Sequence, residues 1–523
     1  MSVPPCIIVA GGRGNDVVGG LLVSGDLELS ERIAAVLGLD PDAAAIEFGG
    51  QWVSWGSLGT VAEGVRARLV EAGLGPGTPV GLVLRNDPAM IAAMLGVLRS
   101  QCCIVTINPS HGDTGLAVDI ARLKLPVIVA TEKDWARVGV VEAADGALGL
   151  SVSVLPDDVA TLVGLERCGP GPFRTVQPGT AVEMLTSGTT GPPKRVPLAQ
   201  KAFERSISAA GKHYGSKGDD EPRLRPGVMI VSSPLVHMSG LFRTLLYLCQ
   251  GRKVALLERF RVEPFVELVL RHQPRAVSLV PAALAMVLDV DVAPDVFDCV
   301  QVVTSGSAHL PVDLQIAFED RYNVAVLPSY GATEFAGGVA GWTLALHREW
   351  AEAKRGSVGR AQPGREIRIV SPEDRRLLEV GEQGRVEVRT ADGEWVQTTD
   401  LGRVDSDGFV FIDGRLDDVI IRGGFKITPA DIVDVLRAHP DVHDAGVTGM
   451  PDARLGSVPV AAVELKSGHS ATPDELLDFV RHRVSKYQVP TRLAVVDVLP
   501  RTPSMKVSQP GVRAIFEAEE EVR

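Results

Sequence analysis

Residues 79–84, Pro-Val-Gly-Leu-Val-Leu, are uncharged and apolar, and a helical pattern follows directly over 88–99. A run that is apolar at every position, not at every second one, fits a strand covered on both faces. The unit recurs. A strand near 45–48 precedes a helix near 59–72, and strands at 103–107 and 127–130 flank another helical segment. Parallel neighbours need a crossover connection, which helices of about 10–15 residues supply. The spacing therefore predicts an α/β chain built on doubly wound parallel sheets. Residues 136–180, with Pro and Gly clusters at 156 and 169–172, read as an irregular connection. Beyond them strands are expected at 181–185, 228–231, 254–257, 276–279, 300–304 and 324–327, with a helical pattern from near Pro197. After Gly356 the texture changes to short β runs at 385–388, 395–398 and 409–412, a small barrel-like part. From Leu416 a smaller α+β pattern takes over.

At 523 residues the chain is long enough for two or more sizeable cores. A formal charge of -12, with no long basic run to offset it, argues against nucleic acid or an anionic membrane as partner. Any phosphate must be held by local arrangement. The six cysteines, 6, 102, 103, 168, 249 and 299, lack metal-type spacing and read as reduced thiols. The opening MSVPPCIIVAGG has no basic n-region, and no stretch of about 18 or more apolar residues suggests a membrane span, so the cytoplasm is expected. Gly11-Gly12-Arg13-Gly14 lacks dinucleotide-binding spacing and reads as a loop.

The chemistry concentrates first at Met184-Leu-Thr186-Ser187-Gly188-Thr189-Thr190-Gly191-Pro-Pro-Lys194. A short strand runs into a loop of hydroxyls, glycines and one lysine. Neutral donors, closely approaching backbone N–H groups and one cation are what a triphosphate requires. The lysine is not followed by Ser or Thr, so this is no Walker A loop. The string resembles the phosphate loop of the adenylate-forming superfamily, which holds acyl-CoA synthetases, stand-alone adenylation domains and beetle luciferases. Arg195 stands where a small residue commonly follows the lysine, and offers further positive charge near the phosphates.

Four more segments resemble the same superfamily in the expected order, so the likeness runs from near residue 40 to near 508. Pro234-Leu-Val-His237-Met238-Ser-Gly-Leu241 ends a strand and opens a helix. The resemblance puts His237 beside the acyl carboxylate. No Asp stands in this segment to pair with a substrate ammonium, which favours an acid without an α-amino group. The acyl pocket is expected from His237, Met238, Leu241, Phe242, Gly306, Gly331, Phe335, Ala336 and Gly337, roomy and hydrophobic. In Ser329-Tyr330-Gly331-Ala332-Thr333-Glu334 a Tyr face can stack on adenine, a Thr can reach the α-phosphate and a carboxylate can hold Mg²⁺. Ser307 and Ala308 resemble the loop over the other adenine face. Asp400 and Arg415 bracket a β hairpin, with Ile412 beside the nucleotide; Asp400 can accept from both ribose hydroxyls and Arg415 can add charge-assisted bonds.

Asp417 falls where the family has its hinge, dividing residues 1–416 from a mobile unit of 417–523. Gly423, Gly424 and Lys426 resemble the loop that lines the path of a thiol acceptor. Lys506, in Pro500-Arg-Thr-Pro-Ser-Met505-Lys506, resembles the lysine that bridges carboxylate and phosphate during adenylation; Met505 replaces the usual Gly. The resemblance thus implies an AMP-forming acyl-CoA synthetase using ATP, Mg²⁺ and coenzyme A. Thr186, His237, Glu334 and Lys506 are its catalytic candidates, Glu334 doubling as the metal ligand. A ligase loading an acyl carrier protein and a degenerate nucleotide- or acyl-binding homologue stay open as alternatives. So does the choice between monomer and homodimer.

Overall fold

A computed structural model describes residues 9–10, 28–154, 157–162, 165–186, 194–213, 222–390, 393–502 and 505–521. The expected loop at 11–14 and the span 187–193 lie outside the described residues.

The run at 79–84 forms the strand Pro79–Val83, buried at every position. It lies near the middle of a seven-stranded sheet between Cys103–Ile107 and Val127–Ala130, both parallel to it and wholly buried. The helix Pro88–Arg99 begins as its sequence dictates: Asp87 accepts a hydrogen bond from the N–H of Ala89, and Pro88 takes the first turn, where no N–H is needed. Every residue from Pro88 to Leu98 is buried, because the helix is sandwiched between the sheet and the helix Trp55–Glu71. That second helix starts four residues earlier than its periodicity suggests, with Ser54 accepting from the N–H of Ser57 as its cap.

Two expectations are corrected in this sheet. Residues 136–180 are not merely a connection, since Leu148–Val154 and Asp157–Thr161 extend the sheet at one edge. The helical pattern expected from Pro197 begins instead at Gln200, after Lys194–Ala199 has paired antiparallel with Thr180–Thr186 at the other edge. Pro197 is tolerated there because an edge strand can spare an N–H.

A four-stranded sheet (Ala44–Phe48, Gln51–Ser54, Arg225–Val231, Arg252–Leu256) and a five-stranded one carry the second half of the alternation. In the latter, Ala276–Ser278, Val302–Ser305 and Ala325–Tyr330 are parallel, and two short antiparallel strands follow. The β texture after Gly356 forms an antiparallel sheet from Glu366–Val370 to Val410–Arg415, with Val9–Ala10 on its edge. A last sheet starts at Ile420–Arg422 and closes with Arg492–Val496, packed by the helices Pro429–Arg437, Pro473–Arg481 and Gln509–Glu521. It has its own cores, around Ile432 and Leu476 on one face and Val512 and Phe516 on the other. The fold is thus mixed α/β, with parallel sheets in a large N-terminal region and a separate α+β domain at the C-terminus.

The described cysteines are all free, and burial pushes the thiols of Cys102 and Cys103 up to about 11 and about 12. Among the described residues no helix is long and apolar enough to cross a membrane.

Candidate active site

A cavity of ≈ 2540 Å³ opens where the ends of the parallel strands meet the small C-terminal sheet. The strand Thr180–Thr186 brings Met184 and Leu185 to its lining, and Lys194 is the register partner of Thr186. The two strands therefore pin both ends of the expected phosphate loop, while Ser187, Gly188, Thr189 and Thr190 lie outside the described residues. Arg195 does not join Lys194. Successive side chains of a strand point to opposite faces, and the Arg195 guanidinium donates to the carbonyl of Thr106 at 3.0 Å inside the sheet. The extra positive charge expected near the phosphates is spent there.

The strand Ala325–Tyr330 carries the next group. The Tyr330 hydroxyl donates to Asp400 Oδ2 at 2.5 Å, which ties this strand to the antiparallel sheet. Burial, and then the Asp400 charge, hold the phenol above its ordinary range, so it stays a donor. Gly331 is required by closeness: a Cβ there would lie 2.6 Å from the carbonyl oxygen of Gly337. Ser329, Ala332, Thr333 and Glu334 line the cavity, as do Ser307 and Ala308 on the facing loop and Ile412 on the hairpin. Glu334 is solvent-exposed, and no cluster of three potential metal ligands exists among the described residues. One carboxylate facing a cavity suits Mg²⁺, which keeps its waters and takes its other oxygens from substrate phosphates.

Asp400 and Arg415 are register partners across the hairpin, with Arg415 Nη1 3.7 Å from Asp400 Oδ1. Arg415 is gripped from its other side by Asp417, Nε to Oδ1 and Nη2 to Oδ2, both at 2.9 Å. Burial works against the guanidinium charge, but the bond to Asp417 and the charge of Asp400 outweigh it and raise its pKa. The hinge candidate Asp417 thus also orients a candidate nucleotide ligand.

His237 precedes the helix Met238–Cys249. Its Nε2 is buried with no hydrogen-bond partner among the described residues. Burial, and then the nearby charge of Lys506, lower its pKa to about 4, so it is neutral at pH 7. Met238, Phe242, Gly306 and Gly337 line the cavity with it. Leu241, Phe335 and Ala336 do not: they are at most 2 % exposed and pack into the cores. Leu241 shares the buried side of its helix with Leu245 and Leu248.

Lys506 comes from the C-terminal domain and reaches the same cavity. Solvent within the cavity touches it, yet protein surrounds it widely enough that burial lowers its pKa; Arg415 adds to the fall and Asp400 opposes it. Met505 adopts φ +65°, the left-handed conformation that glycine takes without cost. The turn is closed regardless, by Met505 N–H to the Thr502 carbonyl at 2.8 Å and Thr502 N–H to the Lys506 carbonyl at 2.7 Å. Met505 therefore takes at a strained φ the place that the resemblance gives to Gly. Its stem is held by Arg501, whose Nη2 lies 2.7 Å from Asp444 Oδ2, while Arg437 takes Asp444 Oδ1 at 2.6 Å. Sequence reasoning did not identify this Arg–Asp–Arg bracket, nor the Tyr330–Asp400 bond, because each joins residues far apart in the chain.

Gly423, Gly424 and Lys426 lie elsewhere, around the turn between Ile420–Arg422 and Phe425–Ile427. None of them lines the cavity. Lys426 pairs with Glu373 at 2.8 Å, and Gly424, at φ +90°, has nothing within 4 Å of where a Cβ would stand. The structure brings Lys506 to the candidate site and leaves this turn outside it.

An AMP-binding enzyme model matches residues 34–393, and an AMP-binding enzyme C-terminal domain model matches 432–506. The chain belongs to the adenylate-forming superfamily of AMP-binding enzymes. It is 29% identical over 504 residues to 4-coumarate–CoA ligase 5 of Oryza sativa subsp. japonica, covering 89% of this chain and 90% of the relative. It is 28% identical over 527 residues to indoleacetate–CoA ligase of Aromatoleum aromaticum, covering 94% and 98%. Among solved structures, ATP-bound MatB from Rhodopseudomonas palustris superposes with a TM-score of 0.79 at 22% identity over 94% of this chain and 99% of that one. The amide bond synthetase McbA from Marinactinospora thermotolerans gives 0.76 at 26% identity over 93% and 100%.

Proposed function

We propose that the chain is an acid–thiol ligase. It activates a carboxylic acid lacking an α-amino group to acyl-AMP with release of pyrophosphate, then passes the acyl group to the thiol of coenzyme A. One observation carries the first half: Lys506, from the small domain, shares one cavity with His237, Asp400 and Arg415 of the large one. A carboxylate attacking the ATP α-phosphorus brings two anions together, so catalysis is chiefly positioning and charge neutralisation. Lys506 supplies a cation at the junction, and incoming anions restore any proton affinity that burial removes. Asp400 and Arg415 hold the ribose, and Tyr330 stacks on adenine while its hydroxyl fixes Asp400. Neutral His237 offers its unpartnered Nε2 to the acyl carboxylate without competing for a proton. Mg²⁺ at Glu334 supplies further neutralisation of phosphate charge when bound. Residues 186–194, the expected phosphate loop, supply donors to the phosphates.

In the second half the thiolate attacks the acyl carbonyl, the carbon–oxygen bond to AMP breaks, and AMP leaves. Gly424 must then replace Lys506 at the cavity, by rotation of residues 417–523 about Asp417. Relatives named as CoA ligases at 28–29% identity support CoA as acceptor. Acid-dependent ATP–pyrophosphate exchange tests the first step, and its absence with every acid of a broad panel would leave only a nucleotide-binding homologue. AMP release that requires CoA tests the second. Release driven instead by an acyl carrier protein or by an amine would replace the acceptor.

A further inference from the structure

The helix Met238–Cys249 divides its surface in two. Leu241, Leu245, Leu248 and Cys249 are buried in the core, while Met238, Phe242 and Gln250 line the cavity and Leu246, itself buried in the core, edges it. The cavity therefore follows the helix along its whole length, about 18 Å at 1.5 Å per residue. At 3.3–3.6 Å for every three extended backbone bonds, this is about fifteen bonds. Along the helix the lining is mixed, with Arg243, which donates to Thr304 Oγ1 at 3.3 Å, and Tyr247 beside the apolar residues, and the far end is cationic. There Arg225 and Arg252, register partners at the starts of two parallel strands, both line it.

These two cations are half-buried side by side. Among the described residues neither has a carboxylate partner: Arg252 Nε donates to the neutral Gln250 at 3.2 Å, and Arg225 Nε is buried with no hydrogen-bond partner at all. Burial, and then the charge of Arg225, lower the pKa of Arg252. Like charges set together and partly withdrawn from water are costly unless an anion joins them. The planar guanidinium fork matches a carboxylate or a phosphate, and in a cavity read as taking a carboxylic acid the carboxylate is the anion at hand.

Resting on the ligase reading above, we propose that Arg225 and Arg252 form a distal carboxylate subsite, and that the acid activated is a long α,ω-dicarboxylic acid. One carboxylate reacts beside His237 and Lys506, the chain lies along Met238, Phe242 and Leu246, and the second carboxylate is held by the arginine pair.

The test uses the full chain, with tetradecanedioate and tetradecanoate as probes, in calorimetry and in ATP–pyrophosphate exchange. The diacid is expected to bind about tenfold or more tightly than the monoacid, as a charge-assisted bond predicts. Arg225→Gln and, separately, Arg252→Gln should abolish that preference while leaving monoacid binding unchanged. Equal binding of both acids by the parental protein refutes the subsite without needing either variant to fold. A loss shared by both acids and erased by salt means an entrance field instead of a subsite, and also refutes it. Arginine-dependent diacid binding with no pyrophosphate exchange would uphold the subsite and sink the ligase reading.

Discussion

Asp400 is the residue at which the site's electrostatics can be perturbed most cleanly. It takes a hydrogen bond from Tyr330 and stands 3.7 Å from Arg415. Asp400→Asn keeps the shape and an acceptor for Tyr330 but removes the charge; Asp400→Ala removes both. A carboxylate binding two ribose hydroxyls contributes about 1.5–3 kcal/mol for each bond, so complete loss predicts at least about a tenfold rise in KM for ATP. The Arg415–Asp400 attraction at this distance lies between about 1 kcal/mol in water and about 4 at an effective dielectric of 20. With the Arg415 side chain 38% exposed, solvent screening places it in the lower part of that range. Arg415 keeps Asp417 in either variant, so the hairpin should persist. Pyrophosphate exchange at varied ATP, with acid saturating, measures the effect; the KM for the acid should move much less. An Asp400→Ala enzyme with unaltered ATP dependence would remove this residue from the nucleotide site.

Three further expectations follow from the same geometry. His237 has a folded pKa of about 4 against about 6.5 unfolded, so between those values the unfolded chain binds more protons and stability falls as the pH is lowered, by up to about 3 kcal/mol; denaturant titrations should show His237→Phe losing that part of the pH dependence. Met505→Gly relieves a left-handed residue worth about 1–2 kcal/mol, partly offset by about 0.5–1 kcal/mol of added unfolded-state freedom, so the melting temperature should rise slightly or stay level, and a clear fall would mean the Met505 side chain contributes more packing than its strain costs. Asp444→Asn should destabilise the C-terminal domain by about 3 kcal/mol by leaving Arg437 and Arg501 without their shared counter-charge, read by urea unfolding; a change under about 0.5 kcal/mol would show that the bracket does not hold the loop.

The alternating sheets were legible because buried parallel strands are apolar at every position, as in Pro79–Val83, and because caps such as Asp87-Pro88 mark where helices begin. The edge strands were not. Leu148–Val154 carries two serines and is followed by Asp157-Asp158, which reads as polar connection until a sheet edge is there to pair with it. Lys194–Ala199 contains a proline that a lone sequence reading takes for a helix start. Of the expected site residues, Ser329 to Glu334 all line the cavity, whereas Leu241, Phe335 and Ala336 show that neighbours in a motif need not share a face. The pairings of Tyr330 with Asp400 and of Arg501 with Asp444 cross 70 and 57 residues, and local spacing carries no sign of them. The arginine pair escaped for the same reason. Arg225 and Arg252 become neighbours only when their strands align.

The central claim is that one small domain serves two half-reactions with two different loops, Lys506 now in the cavity and Gly424 now outside it. The direct measurement is a pair of single-turnover assays on Lys506→Ala and Gly424→Leu: pyrophosphate release from ATP and acid, and acyl-CoA formation from synthetic acyl-AMP and CoA. Lys506→Ala should lose the first by orders of magnitude and keep the second. Gly424→Leu, whose Cβ meets nothing within 4 Å in the present arrangement although φ +90° strains any side chain there, should keep the first and lose the second. Equal loss of both activities in Lys506→Ala, or parental acyl-CoA formation by Gly424→Leu, would contradict the account.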